Sequence, residues 1–439
     1  MRWSPALLPV LLCWACGDNA PQIHELRLVG HTDLGAHGMN AALAVAGDIV
    51  YVGSRNDQKG ISIVDVSDPA TPTVVGELGL PHEHLPSMSS RELRAVPERN
   101  LLIVLNLICG EELHGCADQG GEYENLKIYD ITDRLAPQLL STTTIIGTLR
   151  RPRGPHEFFL WNDATRLWLF VAAPAGPPAF EIIDATDPRA PVRVTQWDPT
   201  DAGVVRLTED HILHSVGVSE DGRTAYLSHQ KAGLLLADLS ALPAITLMTP
   251  PAAAVTWPPI EAAGPHSAVP MRGRDNVLVV TEEVYPRPFG TACPWGHLRT
   301  VDASDPTAPV IVGEFKLPEN DPAYCANPQD DITFTAHNVT TTRNLALVTW
   351  YSGGLQVLDL SDPARPTQLT QFRPEPLPAV TVEDPALGGH PVTMWSYPVV
   401  QDGLIYVVDI RNGLYILGYR GRFEEELLED TFFEGNSNL

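Results

Sequence analysis

Short apolar runs recur along the chain, and clusters of Gly, Pro, Asp and Asn separate them. The first clear unit contains the runs "NAALAVAG", "DIVYVGS", "GISIVDV" and "TVVGELGL", with the turn "SDPATP" between the last two. Short β-branched runs bounded by turn residues predict β-strands. Each unit therefore predicts a four-stranded antiparallel sheet.

The Asp that ends the third run of each unit marks a repeat. It recurs every 54 to 65 residues, at Asp65, Asp130, Asp184, Asp238, Asp302 and Asp359. A period of tens of residues is typical of repeat folds, and radial repetition of four-stranded units makes a β-propeller. Asp238 lies in a degenerate copy, "LLLADLSALP", that has lost the Asp-Pro pair.

The two ends of the chain set the number of blades. After Asp359, "MWSYPVVQDGLIYVVDIRNGLYILGY" supplies three strands and no fourth, whereas "IHELRLVGHTDL" near the N-terminus matches the fourth-strand pattern. We expect this N-terminal strand to complete the C-terminal blade and close the ring. The predicted fold class is all-β: a seven-bladed propeller over residues 23–420, then an acidic tail over 421–439 that is a short helix or disordered.

The N-terminal segment "MRWSPALLPVLLCWACGDN" has one Arg, a short apolar run and small residues at its end. This layout predicts an export signal over residues 1–15. "CWAC" followed by "GDN" resembles the lipobox of bacterial lipoproteins, with Cys16 lipidated and 16–22 as a linker, although Cys13 stands where that motif has Leu. We expect an exported protein in the periplasm or at the cell surface, anchored to the membrane only through lipidated Cys16.

The charge of the chain narrows the choice of partner. The formal net charge is −25. Nucleic-acid backbones and anionic membrane surfaces carry the same sign, which argues against both as partners. The expected partner is a small molecule or another envelope protein, and the protein is expected to be a monomer.

Four cysteines follow the signal, namely Cys109, Cys116, Cys293 and Cys325. An exported protein folds in an oxidising compartment, where disulfides are the usual state of cysteine pairs. We expect one bridge between Cys109 and Cys116 within a loop, and one between Cys293 and Cys325 across neighbouring loops. Zinc binding is the weaker interpretation, because no pair has the C-x2-C spacing.

Strand direction divides the connections between two faces of the ring. The Asp-Pro turns join the third strand to the fourth on one face, here called the turn face. Connections between the second and third strands, and links between blades, lie on the opposite face, here called the loop face. Loop-face segments vary from "YSGG" to "ICGEELHGCADQGGEYEN", and variable loops on a rigid scaffold usually carry binding sites.

A histidine precedes the innermost strand in five of the seven units. The segments are "GAHGM", "GPHEF", "ILHSV", "GPHSA" and "TAHNV", which give His37, His156, His214, His266 and His337 one equivalent position on the loop face. The same position falls near Arg91 in the second unit and near Trp395 in the seventh. Because the innermost strand starts close to the ring axis, five imidazoles are expected to converge there.

Three interpretations of these histidines stay open. Neutral imidazole is a common ligand for Zn, Cu and Fe, and Glu157, Glu282 and Glu283 are candidates for orienting the rings of a metal centre. Each histidine is equally a strut, whose ring nitrogens bond backbone groups of the next blade. An organic ligand or a protein partner is the third interpretation. Five imidazoles exceed what one metal ion needs, which favours the strut for one or two of them.

The segment "GLQVLDLSDPARP" and its siblings resemble the LVIVD repeat of bacterial extracytoplasmic propeller proteins. This resemblance covers about the whole mature chain and implies the fold without an activity. A more distant likeness, to the selenium-binding protein and methanethiol oxidase family, implies a copper-dependent site. Two functions follow as hypotheses. One is a binding or interaction module of the cell envelope. The other is a metal-dependent (Cu or Fe) oxidase or oxygenase with His156, His214, His266 and His337 as ligands.

Overall fold

The structure is a computed structural model of the chain. It describes residues 23–80, 88–116, 125–145, 155–173, 179–204, 212–256, 264–287, 290, 293–324, 332–387 and 389–439. The expected signal, linker and lipidation site at Cys16 lie outside these ranges. Within them the chain forms seven antiparallel sheets, so the predicted seven-bladed propeller is confirmed.

Strand β1, Glu25–Thr32, comes first along the chain, and six four-stranded blades follow it with their first strands innermost. The first three blades consist of Asn40–Ala46 (β2), Ile49–Ser54 (β3), Ile61–Asp65 (β4) and Thr73–Leu78 (β5); Met88–Val96 (β6), Leu101–Ile108 (β7), Leu126–Asp130 (β8) and Gln138–Thr143 (β9); and Glu157–Asn162 (β10), Leu167–Ala172 (β11), Phe180–Asp184 (β12) and Val192–Trp197 (β13).

The next three blades follow the same order. They consist of Leu213–Val218 (β14), Thr224–His229 (β15), Gly233–Asp238 (β16) and Thr246–Leu247 (β17); Pro265–Met271 (β18), Arg274–Glu282 (β19), Leu298–Asp302 (β20) and Val310–Phe315 (β21); and Val339–Thr341 (β22), Leu345–Thr349 (β23), Leu355–Asp359 (β24) and Thr367–Phe372 (β25).

The seventh blade joins the two ends of the chain. Its inner three strands are Val399–Gln401 (β26), Leu404–Asp409 (β27) and Gly413–Arg420 (β28). Strand β1 pairs antiparallel with β28, from Glu25 opposite Arg420 to Thr32 opposite Leu414. The N-terminal strand therefore completes the C-terminal blade, as predicted.

The core lies between neighbouring blades. Every residue of β2 and β3 is buried, whereas β5 at the rim is exposed or half-buried throughout. Leu93 and Ala95 of the second blade pack against Tyr51 and Ile63 of the first. Removing these apolar faces from water is the main force that holds adjacent blades together.

Each Asp-Pro turn is fixed by its own aspartates. Asp65 Oδ1 accepts the backbone N–H of Ser67 at 2.9 Å, and Asp68 Oδ1 accepts that of Ala70 at 3.1 Å. The first of these bonds recurs in the five other repeats, at Asp130, Asp184, Asp238, Asp302 and Asp359. Asx bonds of this kind stabilise turns locally, and the degenerate copy at Asp238 keeps its bond.

The turns also brace one blade against the next. The Ser141 hydroxyl donates to the carbonyl of Pro188 in the following blade, and the Thr300 hydroxyl donates to that of Pro363, both at 2.6 Å. At Gly30 of β1, a Cβ atom would lie 2.0 Å from the Pro69 carbonyl oxygen. Glycine at this position therefore permits the closest approach of the seventh blade to the first.

The disulfide expected within the second blade is present. Cys109 and Cys116 are bonded to each other and enclose the short helix α1, Glu111–His114. Cys293 is also disulfide-bonded, whereas its expected partner Cys325 lies outside the described residues. In the described ranges no helix is long and apolar enough to cross a membrane.

The acidic tail is more ordered than the sequence suggests. It forms a short helix, Glu426–Glu429 (α2), which is one of the two expected alternatives, and then a strand, Phe432–Glu434 (β29), which is not. Strand β29 pairs with the innermost strand of the seventh blade, and Leu160 of the third blade bonds the backbone of the last residues. The tail thus lies across the turn-face end of the ring axis.

Candidate metal centre on the loop face

In the fourth and fifth blades, a β-bulge at the start of the innermost strand turns one side chain toward the ring axis. The pairing register shifts at His214 and at His266, which have no partner on the second strand. A bulge redirects the side chain of its extra residue. The repeat therefore sets these imidazoles at equivalent places around the axis.

Four imidazoles from consecutive blades form one stack, here called the histidine arc: His156, His214, His266 and His337. Neighbouring ring centroids are 4.2, 4.2 and 4.3 Å apart. Trp395 of the seventh blade continues the stack, 5.0 Å from His337. The predicted convergence is therefore present for four of the five histidines.

Glu283 is the carboxylate that faces the arc. It directly follows β19 and so comes from the loop face. Its Oε2 lies 3.6 Å from His266 Nε2, and its Oε1 lies 3.3 Å from His337 Nε2. Tyr351 donates its hydroxyl to Glu283 Oε1. A carboxylate held in this way lies within reach of any cation that the imidazoles bind.

The protonation of His337 follows from its neighbours. Its Nδ1 lies 2.6 Å from the Trp395 carbonyl oxygen, and a carbonyl only accepts, so Nδ1 carries the proton. In the neutral ring Nε2 then has a lone pair, which faces Glu283. Two acceptors 3.3 Å apart repel each other unless a proton or a cation lies between them. A ring N–H donated to a backbone carbonyl is also usual for metal-ligating histidine.

The other three imidazoles of the arc each have a ring nitrogen that makes no hydrogen bond within the described structure. Among the described residues, Nδ1 of His156, His214 and His266 has no hydrogen-bond partner. The His266 carbonyl lies near the His214 ring, but outside hydrogen-bonding geometry. That carbonyl accepts instead from the hydroxyl of Ser215 in the preceding blade. The Ser215 hydroxyl thus joins the two blades at this position, and the rings are not needed for that contact.

Burial keeps the arc uncharged. It lowers the pKa of His214 to about 4. It also lowers the pKa of His266, and the neighbouring His214 and His337 add to the effect. Burial raises the pKa of Glu283 to about 7, against the opposing effects of the Tyr351 hydrogen bond and Arg55. Metal binding requires neutral imidazoles, and this environment favours them.

The donor atoms of the arc fit a metal ion. One ligand atom each of His214, His266 and Glu283 lies within 4.8 Å of the other two. Ligand atoms around a tetrahedral zinc ion are about 3.4 Å apart, so small side-chain rotations would close the site. Nε2 of His337, 3.3 Å from Glu283 Oε1, is a nearby donor outside this group of three. Two or three imidazoles with one carboxylate suit Zn, Cu or Fe.

His37 does not belong to the arc, which corrects the expectation of five equivalent histidines. In the first blade the register shift falls between Asn40 and Leu43, beyond His37 in the chain. Two alanines therefore occupy the bulge. The His37 Nδ1 contacts the carbonyl of the adjacent Gly38 at 3.0 Å instead.

Two of the three predicted orienting carboxylates point elsewhere. Glu157 is buried and accepts the hydroxyl of Tyr397 at 2.5 Å. Glu282 is buried and pairs with Arg299 at 3.1 Å and with His297 at 3.6 Å. Adjacent residues of a strand face opposite sides, which is why Glu282 and Glu283 separate.

Arginines of the first and second blades lie next to the arc, whose histidines come from the third to sixth blades. Arg91 lies at the bulge of the second blade, the position expected from the repeat. Arg55 follows β3 and was not predicted. Its guanidinium lies 5.1 Å from the Trp395 ring centroid and donates to Asp384 at 3.1 Å. In the sequence, "SRNDQKG" resembles an ordinary polar loop, and nothing in it indicates burial.

A cavity of about 290 Å³ lies away from the arc, between the tail and the turn-face ends of four blades. Arg272, Arg343, Glu429 and Asp430 are among its lining residues. Arg272 is already paired with Asp430 at 2.8 Å. Charged residues of this cavity thus pair with each other where the tail packs on the blades. The histidine arc is therefore the better candidate site.

Fold and site together define a seven-bladed propeller with a histidine arc at the loop-face end of its axis. The LVIVD repeat model matches residues 37–78, 292–316 and 335–372, so the chain contains LVIVD repeats. The crystal structure of Saccharomyces cerevisiae Sqt1 matches with a TM-score of 0.52 and 9% identity, over 90% of this chain and 99% of that one. This likeness shows the fold alone. No curated protein matches the chain.

Proposed function

We propose that this protein is a binding module of the cell envelope whose histidine arc holds one transition-metal ion, Cu, Fe or Zn. One observation carries this proposal. Donor atoms of His214, His266 and Glu283 lie within 4.8 Å of one another, and Nδ1 of both imidazoles has no hydrogen-bond partner among the described residues. Buried polar atoms without partners cost free energy, and a bound cation would offset that cost.

The strut interpretation explains less of the arc. A strut needs its ring nitrogens bonded to the neighbouring blade. Nδ1 of His337 bonds the Trp395 carbonyl at 2.6 Å, whereas the rings of His214 and His266 lie near the carbonyls of His266 and His337 without an aligned hydrogen bond from Nδ1. Hydroxyl groups of Ser215 and Thr281 already bond the carbonyls of the next blade. The rings of His214 and His266 would thus add little as struts, whereas both have a use around a metal ion.

The place of the protein in the cell is part of the same proposal. The apolar segment before Cys16 favours export, and the bonded pair Cys109–Cys116 agrees with an oxidising compartment. The lipid anchor would hold the propeller at the membrane, where the loop face meets a small molecule or another envelope protein. Replacement of Cys16 by Ser should release the protein from the membrane fraction; retention there would contradict the anchor.

A metal-dependent oxidase or oxygenase is the second candidate function. The observation in its favour is that only three donors among the described residues lie close enough to share one ion, which leaves a coordination position open. Catalytic metal sites keep such a position for water or substrate, whereas structural sites are closed. Turnover with a bound metal would separate this candidate from a module that only binds.

Metal analysis of protein purified without a histidine tag tests the metal centre. We expect about one equivalent of Cu, Fe or Zn after purification or reconstitution. His214→Ala and His266→Ala should each lower the occupancy at least tenfold, because each removes a donor from the same ion. Equilibrium dialysis with one metal at a time measures the loss.

His37→Ala is the matched control. The sequence makes His37 equivalent to the arc, but its imidazole contacts the Gly38 carbonyl, so occupancy should not change. Less than about one tenth of an equivalent, with none gained on reconstitution, would overturn the metal centre. Unchanged occupancy in both arc variants would do the same.

A further inference from the structure

Among the described residues, no carboxylate contacts the buried guanidinium of Arg91. Its side chain enters the ring at the bulge of β6, between the first blade and His156 of the third. The residue is only 6% exposed. A buried charge normally has a paired partner, because its removal from water costs several kcal/mol or more. An arginine in this position therefore requires an explanation.

The described residues leave most of the guanidinium unused. Nη2 has two contacts at the outer limit of hydrogen bonding, 3.5 Å to the Arg55 carbonyl and 3.4 Å to the Ser89 hydroxyl. Nε has no partner. A guanidinium offers five N–H donors, so at least three of them have no acceptor among the described residues.

Neighbouring arginines are bonded differently. Arg55 donates to Asp384 at 3.1 Å and lies 3.4 Å from the Tyr285 hydroxyl. Arg94, two strand residues beyond Glu92, pairs with that carboxylate at 3.0 Å. The acids that act on Arg91, Asp384 and Glu92, are thus paired with other arginines, and no acid of the described residues pairs with Arg91 itself.

The positive charge of Arg91 acts on the histidine arc. Together with burial and His214, it lowers the pKa of His156. It also lowers the pKa of His114, which α1 carries to the loop face. Arg91, His214 and His266 also occupy the same bulge position in their blades, so their side chains point toward the same end of the axis, where one ligand could contact both kinds of group.

We propose that Arg91 binds the carboxylate group of a small organic acid, whose remaining atoms lie against the histidine arc. The planar fork of a guanidinium matches a carboxylate with two parallel hydrogen bonds. One uncompensated positive charge suits a monovalent group better than a dianionic phosphate. This inference rests on the proposed function, since it names the class of ligand that binds beside the histidine arc.

Ligand titration with the full mature protein tests the assignment. Acetate, succinate and inorganic phosphate are the probes, each measured by thermal shift and calorimetry with metal-loaded and chelator-treated protein. We expect acetate or succinate to bind and to raise the melting temperature, since a ligand specific for the native state stabilises it. Arg91→Met should weaken this binding at least tenfold. Arg373→Met, a half-exposed loop-face control, should leave it unchanged.

The stability of the variant separates a ligand residue from a structural one. Without ligand, Arg91→Met should melt at the same or a higher temperature, because an uncompensated buried charge has been removed. If Arg91→Met does not fold, Arg91→Lys replaces it, and loss of the fork should still weaken carboxylate binding. Three results would overturn the assignment: neither carboxylate binds, both bind the variants as tightly as wild type, or phosphate alone binds. Carboxylate binding by chelator-treated protein would show that the Arg91 site does not require a metal ion, so the two proposals can fail independently.

Discussion

The two ends of the ring axis are closed by different means. On the turn face, β29 pairs with β26, and Leu160 exchanges backbone hydrogen bonds with Asn436 and Asn438. On the loop face, side chains converge from separate blades, and no described strand crosses the axis. The turn-face end is thus built like an ordinary sheet, whereas the loop-face end depends on what its side chains can bind.

Unpaired polar atoms occur at both ends, and their chemistry differs. At the tail, Arg94 Nε and Glu434 Oε1 lack hydrogen bonds, but they are opposite in charge and 3.8 Å apart. A small movement or one water molecule satisfies both. In the arc, the unpaired atoms are Nδ1 of three neighbouring imidazoles. A donor and an acceptor of opposite charge that lie close together indicate a structural contact. Several neighbouring imidazole nitrogens without hydrogen bonds indicate a ligand site instead.

Phe433→Ala should have the largest effect and should affect only the tail end. The side chain is 1% exposed and packs with Val400 and Leu427. Truncating such a buried ring typically costs about 3–5 kcal/mol of unfolding free energy. Denaturant titration measures the loss, and metal occupancy of the folded variant should stay at the wild-type level.

Leu428→Ala is the control for this change, because the neighbouring Leu428 is 67% exposed. Its effect should stay within about 0.5 kcal/mol. If Phe433→Ala also removed the bound metal, the two ends of the axis would be coupled, and the separation drawn here would be wrong.

Most of the fold could be predicted from the sequence because the repeat is local. Asp65 and its five equivalents bond the backbone two residues ahead, so each turn is encoded within a few residues. The sequence also contains a fourth-strand pattern before Asn40 that has no blade of its own. This pattern allowed the ring closure by β1 to be predicted. Strand β29 was missed because its acidic surroundings suggest a solvated tail, and only the end of the axis offers Phe433 a place to be buried.

The candidate site could be predicted only in part. His214 and His266 occupy bulges, and their spacing in the repeat revealed them. His37 has the same local sequence pattern, but the first blade places its bulge after Asn40. Pairing register depends on contacts between strands, which a single segment does not encode. Arg55 was missed for a related reason, since its burial depends on Trp395 and Asp384, which are distant in sequence.

Removal of the Cys109–Cys116 disulfide should have a smaller effect, and on the loop-face end. The bridge closes a loop with a sequence separation of 7, and loop-closure entropy predicts a loss of about 2 kcal/mol. The double variant Cys109→Ser with Cys116→Ser should therefore unfold at lower denaturant concentration. Unchanged stability would mean that the loop is held instead by the packing of α1 against Pro385–Leu387.

Glu434→Gln should have the smallest effect, and one that depends on pH. Burial raises the pKa of Glu434 to about 7, and Glu92 adds to this, while Arg94 and the Ser437 hydrogen bond oppose it. A carboxyl group with a raised pKa in the folded state favours folding when protonated. Its contribution is complete below the unfolded pKa of about 4.3 and is lost as pH rises through about 7.

The variant cannot ionise at this position, so it should be as stable as wild type at pH 4.5 and more stable at pH 8, by on the order of 1–2 kcal/mol. Denaturation midpoints at four pH values between these limits measure the difference. A variant that is less stable at pH 8 would show that the attraction between ionised Glu434 and Arg94 outweighs the cost of burial. The turn-face end would then depend on a buried ion pair. The contact between Arg94 Nε and Glu434 Oε1 would be stronger than their separation of 3.8 Å suggests.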